Sequence, residues 1–287
     1  MIANGSPGHD LAGVQVYYIL PTSRFNRRYV APDRQLNMSE YAPYDVPVRD
    51  ARPAGSAISL ASHGFTLLPH VTHTDFGDRA QIDRAYLPEM ERLLREVTGA
   101  ERVIAFAWMQ RTAAPDGGEA HPPANDVHVD YTPAFAECMA RRALAWNGEP
   151  AERFRRFSII NIWRSFSGAP QDWPLGLCDA TSIAGDEDVT YNILSVDRLP
   201  EPDEIPEVLP GDPLRPTVPE ISAFQFRPQH RWYYYADMRP DEVLLFTNYD
   251  STRTGAWRVP HAGFRDPTCT ATWPRQSIEV RLLAFFL

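Results

Sequence analysis

The sequence contains no lysine, and all 28 of its basic residues are arginine. This absence excludes Schiff-base and pyridoxal enzymes, and it removes the lysine with which P-loop proteins and kinases hold phosphates. Any anion that binds must therefore contact arginine or backbone groups. Cysteine is also scarce. Cys138, Cys178 and Cys269 are widely separated and have no CxxC spacing, which argues against a disulfide framework and a thiolate zinc site.

Long apolar runs are absent as well. None reaches the roughly 18–20 residues of a membrane helix, and the N-terminus lacks the basic and apolar blocks of a signal peptide. We therefore expect a soluble, cytoplasmic protein without a membrane partner. The net charge of −9 argues against the basic surface that binds nucleic acid. The 287 residues suit a single domain, 1–287, in which residues 1–60 form an irregular arm that wraps the core. The oligomeric state stays open.

Hydrophobic periodicity predicts a few helices followed by many strands. Apolar residues recur at helical spacing from Tyr86 to Val97, Gly99 stands where a C-terminal cap belongs, and Ala134–Trp146 is a second helix. Strands are predicted at Val14–Leu20, Gly64–Leu68, Arg102–Met109, Phe157–Arg164, Thr190–Val196, Ala223–Phe226, Arg231–Tyr235, Glu242–Tyr249 and Ser277–Phe286. The acidic, proline-rich stretch Asp197–Glu220 is expected to be a surface loop. The pattern favours a mostly β, α+β fold: a β-sandwich or jelly roll with supporting N-terminal helices.

A candidate metal site begins with His128-Val129-Asp130. Residues i and i+2 of a strand point to the same face, so the imidazole and the carboxylate lie side by side. The alternative is a surface histidine beside an aspartate. His261 follows a later strand and is flanked by small residues, so the three side chains could form the two-histidine, one-carboxylate triad of non-haem iron enzymes. A zinc hydrolase could use the same ligands, but no general-base carboxylate accompanies them.

The last strand carries a candidate anion site. Alternation places the guanidinium of Arg275 and the hydroxyl of Ser277 on one face, where they could hold the distal carboxylate of 2-oxoglutarate. Arg281 shares that face and could take the same role. The alternative is that both arginines are structural ion-pair partners, for instance of Glu279.

Several motifs together resemble the CmcJ/AsaB-like oxidoreductases, which are related to cephamycin 7α-methoxylation proteins and to fungal hydroxylase/desaturases of secondary metabolism. They are His128-Val129-Asp130-Tyr131, Asn161-Ile162-Trp163-Arg164, residues 171–179 (QDWPLGLCD), Arg231-Trp232-Tyr233-Tyr234, residues 241–246 (DEVLLF), Tyr249-Asp250-Ser251, Pro260-His261 and residues 275–281 (RQSIEVR). The resemblance runs from about Gly64 to the C-terminus. The sequence departs from the family pattern at Thr247-Asn248, where a lysine is more common.

The resemblance implies a double-stranded β-helix of the jelly-roll, cupin-like type. It also implies an Fe(II)/2-oxoglutarate-dependent dioxygenase that uses O2, with His128, Asp130 and His261 at the ligand positions. The expected reaction is hydroxylation or desaturation of a small-molecule substrate. Tyr131, Asn161, Trp163, Arg164 and Trp173 are candidates to line the substrate pocket, although large aromatics could equally fill the barrel. Two other functions stay open: an iron-dependent oxidase or cyclase that takes electrons from its substrate without 2-oxoglutarate, and a non-catalytic accessory partner of a biosynthetic enzyme.

Overall fold

The computed structural model describes residues 9–114, 120–209, 216–270 and 273–287. The strands are β1 (Leu11–Ile19), β2 (Arg27–Val30), β3 (Gln35–Asn37), β4 (Tyr41–Asp50), β5 (Phe65–Pro69), β6 (Arg102–Thr112), β7 (His128–Val129), β8 (Arg156–Ser165), β9 (Leu175–Cys178), β10 (Asp188–Ser195), β11 (Glu220–Phe224), β12 (Trp232–Tyr234), β13 (Glu242–Asp250), β14 (His261–Gly263) and β15 (Gln276–Phe286). The helices are α1 (Arg79–Gln81), α2 (Leu87–Thr98) and α3 (Pro133–Trp146), and a π-helical turn, Ile82–Tyr86, joins the first two. Short 3-10 turns lie between several strands.

The strands form two sheets. Ten strands build the larger sheet in the order β1-β4-β12-β9-β14-β7-β11-β10-β2-β3, and five build the smaller in the order β5-β13-β8-β15-β6. The smaller sheet is antiparallel throughout. The mostly β prediction is therefore confirmed. β7 and β14, which carry the two candidate histidine ligands, are neighbours in the middle of the larger sheet.

The smaller sheet has two faces with different neighbours. Alternate residues of β15, such as Ile278 and Val280, pack with Met90 and Leu94 of α2 in one apolar core. Gly99 caps α2 with a left-handed φ of 68°, as the sequence predicts. The residues between, including Arg281, point the other way, toward the larger sheet. Polar side chains of β15 therefore face the interior between the sheets.

Helix α3 covers one end of this interior. Thr132 caps its N-terminus by accepting a hydrogen bond from the backbone N–H of Phe135. Its apolar face joins a core with Ile159 and Leu283 from the smaller sheet. The helix begins three residues after Asp130, so its packing also fixes the end of the metal-binding motif.

The first 60 residues depart from the expected irregular arm, because they contain four strands. β1 and β4 form one edge of the larger sheet, and β2 and β3 form the other. β4 contains two prolines, and Pro43 is nevertheless paired with Tyr17. The backbone of Tyr17 bonds to Asn125 and Val127 on its other side, so the missing N–H of proline costs no ladder hydrogen bond there.

The acidic stretch that follows β10 is mostly exposed in its described part. Arg27 donates hydrogen bonds to the carbonyls of Pro206 (2.8 Å) and Glu207 (3.0 Å), which fix the stretch to β2. Residues 210–215 of the predicted loop lie outside the described residues. Within the described chain, no helix has the length and apolarity to cross a bilayer.

Candidate active site

The three predicted ligands come together between the sheets. His128 and His261 are direct partners across the β7–β14 ladder, and their ring centroids are 4.5 Å apart. Asp130 Oδ1 lies 3.5 Å from Nε2 of His128 and 4.0 Å from Nε2 of His261. All three residues are buried, and one donor atom from each lies within 4.8 Å of the others. One metal ion could contact all three.

Backbone carbonyls set the orientation of both imidazoles. Nδ1 of His128 lies 2.7 Å from the carbonyl of Asp126, and Nδ1 of His261 lies 3.1 Å from the carbonyl of Val259. Each Nδ1 can approach a carbonyl only as a donor, so its proton resides there. In the neutral form of each ring, this tautomer leaves Nε2, the nitrogen nearer to Asp130, without a proton and able to bind a metal.

The electrostatics favour an ionised carboxylate at the site. Burial alone would raise the pKa of Asp130, but the charge of Arg281 and the hydrogen bond with His128 hold it well below its usual range. Burial, reinforced by the neighbouring His128, lowers the pKa of His261 to about 3. For His128, burial is outweighed by the hydrogen bond with Asp130, which raises its pKa. Neutral His261 and ionised Asp130 are the ligand forms that metals require.

Arg275 and Ser277 lie on the same inward face, and both are 1% exposed. Nη1 of Arg275 donates to the carbonyl of Trp173 (2.7 Å), and the guanidinium carbon lies 5.5 Å from the ring centroid of Trp163. Nε and Nη2 of Arg275, together with Oγ of Ser277, have no hydrogen-bond partner among the described residues. Burial, followed by the charge of Arg111, lowers the pKa of Arg275 to about 9. Such an unpaired buried cation indicates a missing anionic ligand.

Arg281, the other candidate to hold the cosubstrate, has a different environment from Arg275. Its Nε donates to Oδ2 of Asp130 (3.1 Å), and its Nη2 lies 3.1 Å from Oε1 of Glu279. Within the described part of the chain, the ion-pair alternative therefore applies to Arg281, which contacts two carboxylates, and not to Arg275, whose guanidinium edge has no partner there.

Arg164, another candidate to line the substrate pocket, does not face the interior between the sheets. It is fully buried, but it shares the outer face of β8 with Ile160 and Ile162. Its guanidinium donates to the hydroxyl of Tyr86 (3.0 Å), the carbonyls of His70 and Pro240, and Nδ1 of His70 (2.7 Å). These protein groups satisfy the cation without a ligand.

Two further predicted pocket residues, Asn161 and Tyr131, lie next to Asp130 in space or in sequence. Asn161 donates from Nδ2 to Oδ2 of Asp130 (2.8 Å). Tyr131 is buried, and its ring stacks on Phe135 at 5.9 Å. The sequence singled out Asn248 only as a departure from the family pattern. Its Oδ1 accepts a hydrogen bond from the backbone N–H of Asp130 (3.0 Å), so it helps to place the carboxylate ligand.

A jelly roll with two histidines and one carboxylate facing its interior defines the architecture of the non-haem iron oxidoreductases. The comparisons agree. A family model described as "Oxidoreductase/YMDC permease-like domain" matches residues 16–285. The chain is 30% identical over 254 residues to the Fe(II)/2-oxoglutarate-dependent dioxygenase nvfI of Aspergillus novofumigatus (strain IBT 16806), a match that covers 85% of this chain and 84% of that protein. It is 31% identical over 271 residues to the hydroxylase/desaturase CTB9 of Cercospora beticola, covering 86% and 78%.

Solved structures give the same result. The structure of the iron and alpha-ketoglutarate-dependent endoperoxidase NvfI matches with a TM-score of 0.80 and 27% identity, and the match covers 96% of this chain and 98% of that one. The chain belongs to the NvfI-like family of oxidoreductases. The predicted resemblance to CmcJ/AsaB-like oxidoreductases and the jelly-roll fold are therefore confirmed.

Proposed function

We propose that this protein is an Fe(II)- and 2-oxoglutarate-dependent dioxygenase that hydroxylates or desaturates a small organic molecule of secondary metabolism. The names of its relatives support the class of enzyme. The observation that carries the proposal is the buried, unpaired edge of Arg275 beside Ser277, in the same interior as the histidine–aspartate cluster. An oxidase that takes all its electrons from its substrate would use that anion site only if the substrate itself carried the anion.

The donor set fits the metal. His128, Asp130 and His261 would hold Fe(II), because two neutral imidazoles and one carboxylate suit this ion and leave coordination positions open. Iron(II), 2-oxoglutarate and O2 together supply the oxidising power to remove hydrogen from an unactivated C–H bond. The protein contributes by fixing the ligands and by excluding water from a buried site.

The anion site fits the cosubstrate. Nε and Nη2 of Arg275 would donate to the distal carboxylate of 2-oxoglutarate, and the hydroxyl of Ser277 would donate to the same group. The carbonyl of Trp173 fixes the orientation of the Arg275 guanidinium, and the ring of Trp163 covers that group. These two tryptophans would therefore support the cosubstrate. Tyr131, next to Asp130 in the chain, is the aromatic residue that we propose for the substrate side.

The experiment that tests the proposal is an anaerobic titration of the Fe(II)-loaded protein with 2-oxoglutarate. A weak visible charge-transfer band should appear with the wild type and be absent from Arg275→Met at the same cosubstrate concentration. Both proteins should bind Fe(II) equally in a separate titration. When oxygen and substrate are added, succinate should form in step with product. Product without succinate would refute the 2-oxoglutarate assignment and favour the oxidase.

A further inference from the structure

The two oxygens of the Asp130 carboxylate have different surroundings. Oδ1 faces the Nε2 atoms of His128 and His261, at 3.5 and 4.0 Å. Oδ2 points away from the histidines and accepts two hydrogen bonds, from Nδ2 of Asn161 (2.8 Å) and from Nε of Arg281 (3.1 Å). One oxygen is therefore free for a metal, and the protein occupies the other.

The smaller sheet presents these donors as a unit. Asn161 on β8 and Arg281 on β15 are direct partners in the antiparallel ladder, so their side chains project from the same point of the sheet. Glu279 holds the far end of Arg281 at 3.1 Å. On the next strand, β13, Asn248 accepts the backbone N–H of Asp130 (3.0 Å). Three adjacent strands thus fix a ligand that belongs to the opposite sheet.

This arrangement has a consequence for coordination. A carboxylate can bind a metal through one oxygen or through both. If Oδ2 were free, Asp130 could bind the metal through both oxygens. Asp130 and the two histidines together would then fill four of the six coordination positions. We propose that Arg281 and Asn161 are positioning residues that hold Asp130 to ligation through Oδ1 alone. This inference rests on the proposed function, in which a chelating cosubstrate takes two of the three remaining positions and O2 needs the last.

The number of waters on a bound Mn(II) ion tests the inference without turnover. Mn(II) prefers six oxygen and nitrogen ligands, so water-proton relaxation should report about three bound waters in the wild type. 2-Oxoglutarate should reduce this count to about one. The Arg281→Met/Glu279→Gln double variant removes the donor together with one of its two carboxylate partners, so the net charge of the site is unchanged. Asn161→Leu removes the second donor without changing any charge.

Each variant should show fewer waters than the wild type, about two for full chelation and close to none once 2-oxoglutarate is added. Arg275→Met is the matched control: its count should stay at about three, and 2-oxoglutarate should fail to lower it. Circular dichroism and thermal melting would verify that each variant is folded. A count of three in both test variants would overturn the inference and leave the proposed function intact. Failure of the wild type to bind Mn(II) would refute both.

Discussion

Replacing Arg275 with methionine should change two properties of the protein in opposite directions. Methionine keeps the length and the apolar stem of the side chain but removes the charge. In the proposed complex, Nε and Nη2 of Arg275 donate to the carboxylate of 2-oxoglutarate in a site shielded from water. Losing such a charge-assisted pair costs roughly 2–5 kcal/mol, about 30-fold to several thousand-fold in cosubstrate affinity.

The ligand-free protein should become more stable through the same change. Among the described residues, the buried Arg275 cation has no carboxylate partner, which carries a desolvation cost of several kcal/mol. The hydrogen bond to Trp173 and the contact with the ring of Trp163 offset part of this cost. We expect a net gain of about 1–3 kcal/mol, or roughly 2–6 °C in melting temperature for a protein of this size.

Two assays on one pair of proteins check both effects. Calorimetric titration of the Co(II)-loaded protein with 2-oxoglutarate measures the affinity, and thermal melting without ligand measures the stability. Arg164→Met is the control, because it removes another buried arginine that protein groups already satisfy. It should lower the melting temperature and leave cosubstrate affinity unchanged. A destabilised Arg275→Met protein with wild-type cosubstrate affinity would show that Arg275 is structural.

Other substitutions separate the metal site from its surroundings. His128→Ala should abolish Co(II) binding in calorimetry, whereas His230→Ala should retain it. In urea unfolding, His230→Ala should lose about 2–4 kcal/mol of stability, because His230 hydrogen-bonds the Tyr18 hydroxyl (2.8 Å) inside the protein. Burial lowers the pKa of His230, so wild-type stability should fall as pH drops below about 6.5, and His230→Gln should flatten that slope. Ser277→Ala removes one hydrogen bond to a charged group and should weaken 2-oxoglutarate binding about 10- to 150-fold, less than Arg275→Met does. Gly64→Ala should destabilise the protein by about 2–4 kcal/mol and weaken metal binding. The φ of Gly64 is +89°, and the new Cβ would collide with Val259, whose carbonyl orients His261. Unchanged metal affinity would contradict this reasoning.

The alternation of strand residues accounts for what the sequence predicted about the site. The two-residue period of a strand places His128 beside Asp130, and it places Arg275, Ser277 and Arg281 on one face. The structure agrees on both. Which arginine is free depends on the carboxylates around each guanidinium. Arg281 contacts Glu279 on its own strand and Asp130 from the opposite sheet, and a contact between distant segments cannot be read from a single sequence.

The errors have physical causes as well. The same period, applied to β8, would have separated Arg164 from Asn161 and placed it with Ile160 and Ile162 under the helix. The strands of the first 60 residues were harder to see, because prolines in β4 imitate a break where the partner strand needs no donor. The role of Asn248 depends on a contact with Asp130 from another sheet, for which the sequence offers no local pattern.

The pairing of His128 with His261 also determines when, during synthesis, the protein can acquire its metal. His261 follows His128 and Asp130 by a long stretch of chain, so a nascent chain has only two of the three ligands until His261 has been synthesised. β14 enters between β7 and β9 in the middle of the larger sheet, and a slip of one residue there would turn His261 to the opposite face. Tight metal binding is therefore confined to chains that have closed the sheet in the correct register, and metal uptake during refolding would report that final step.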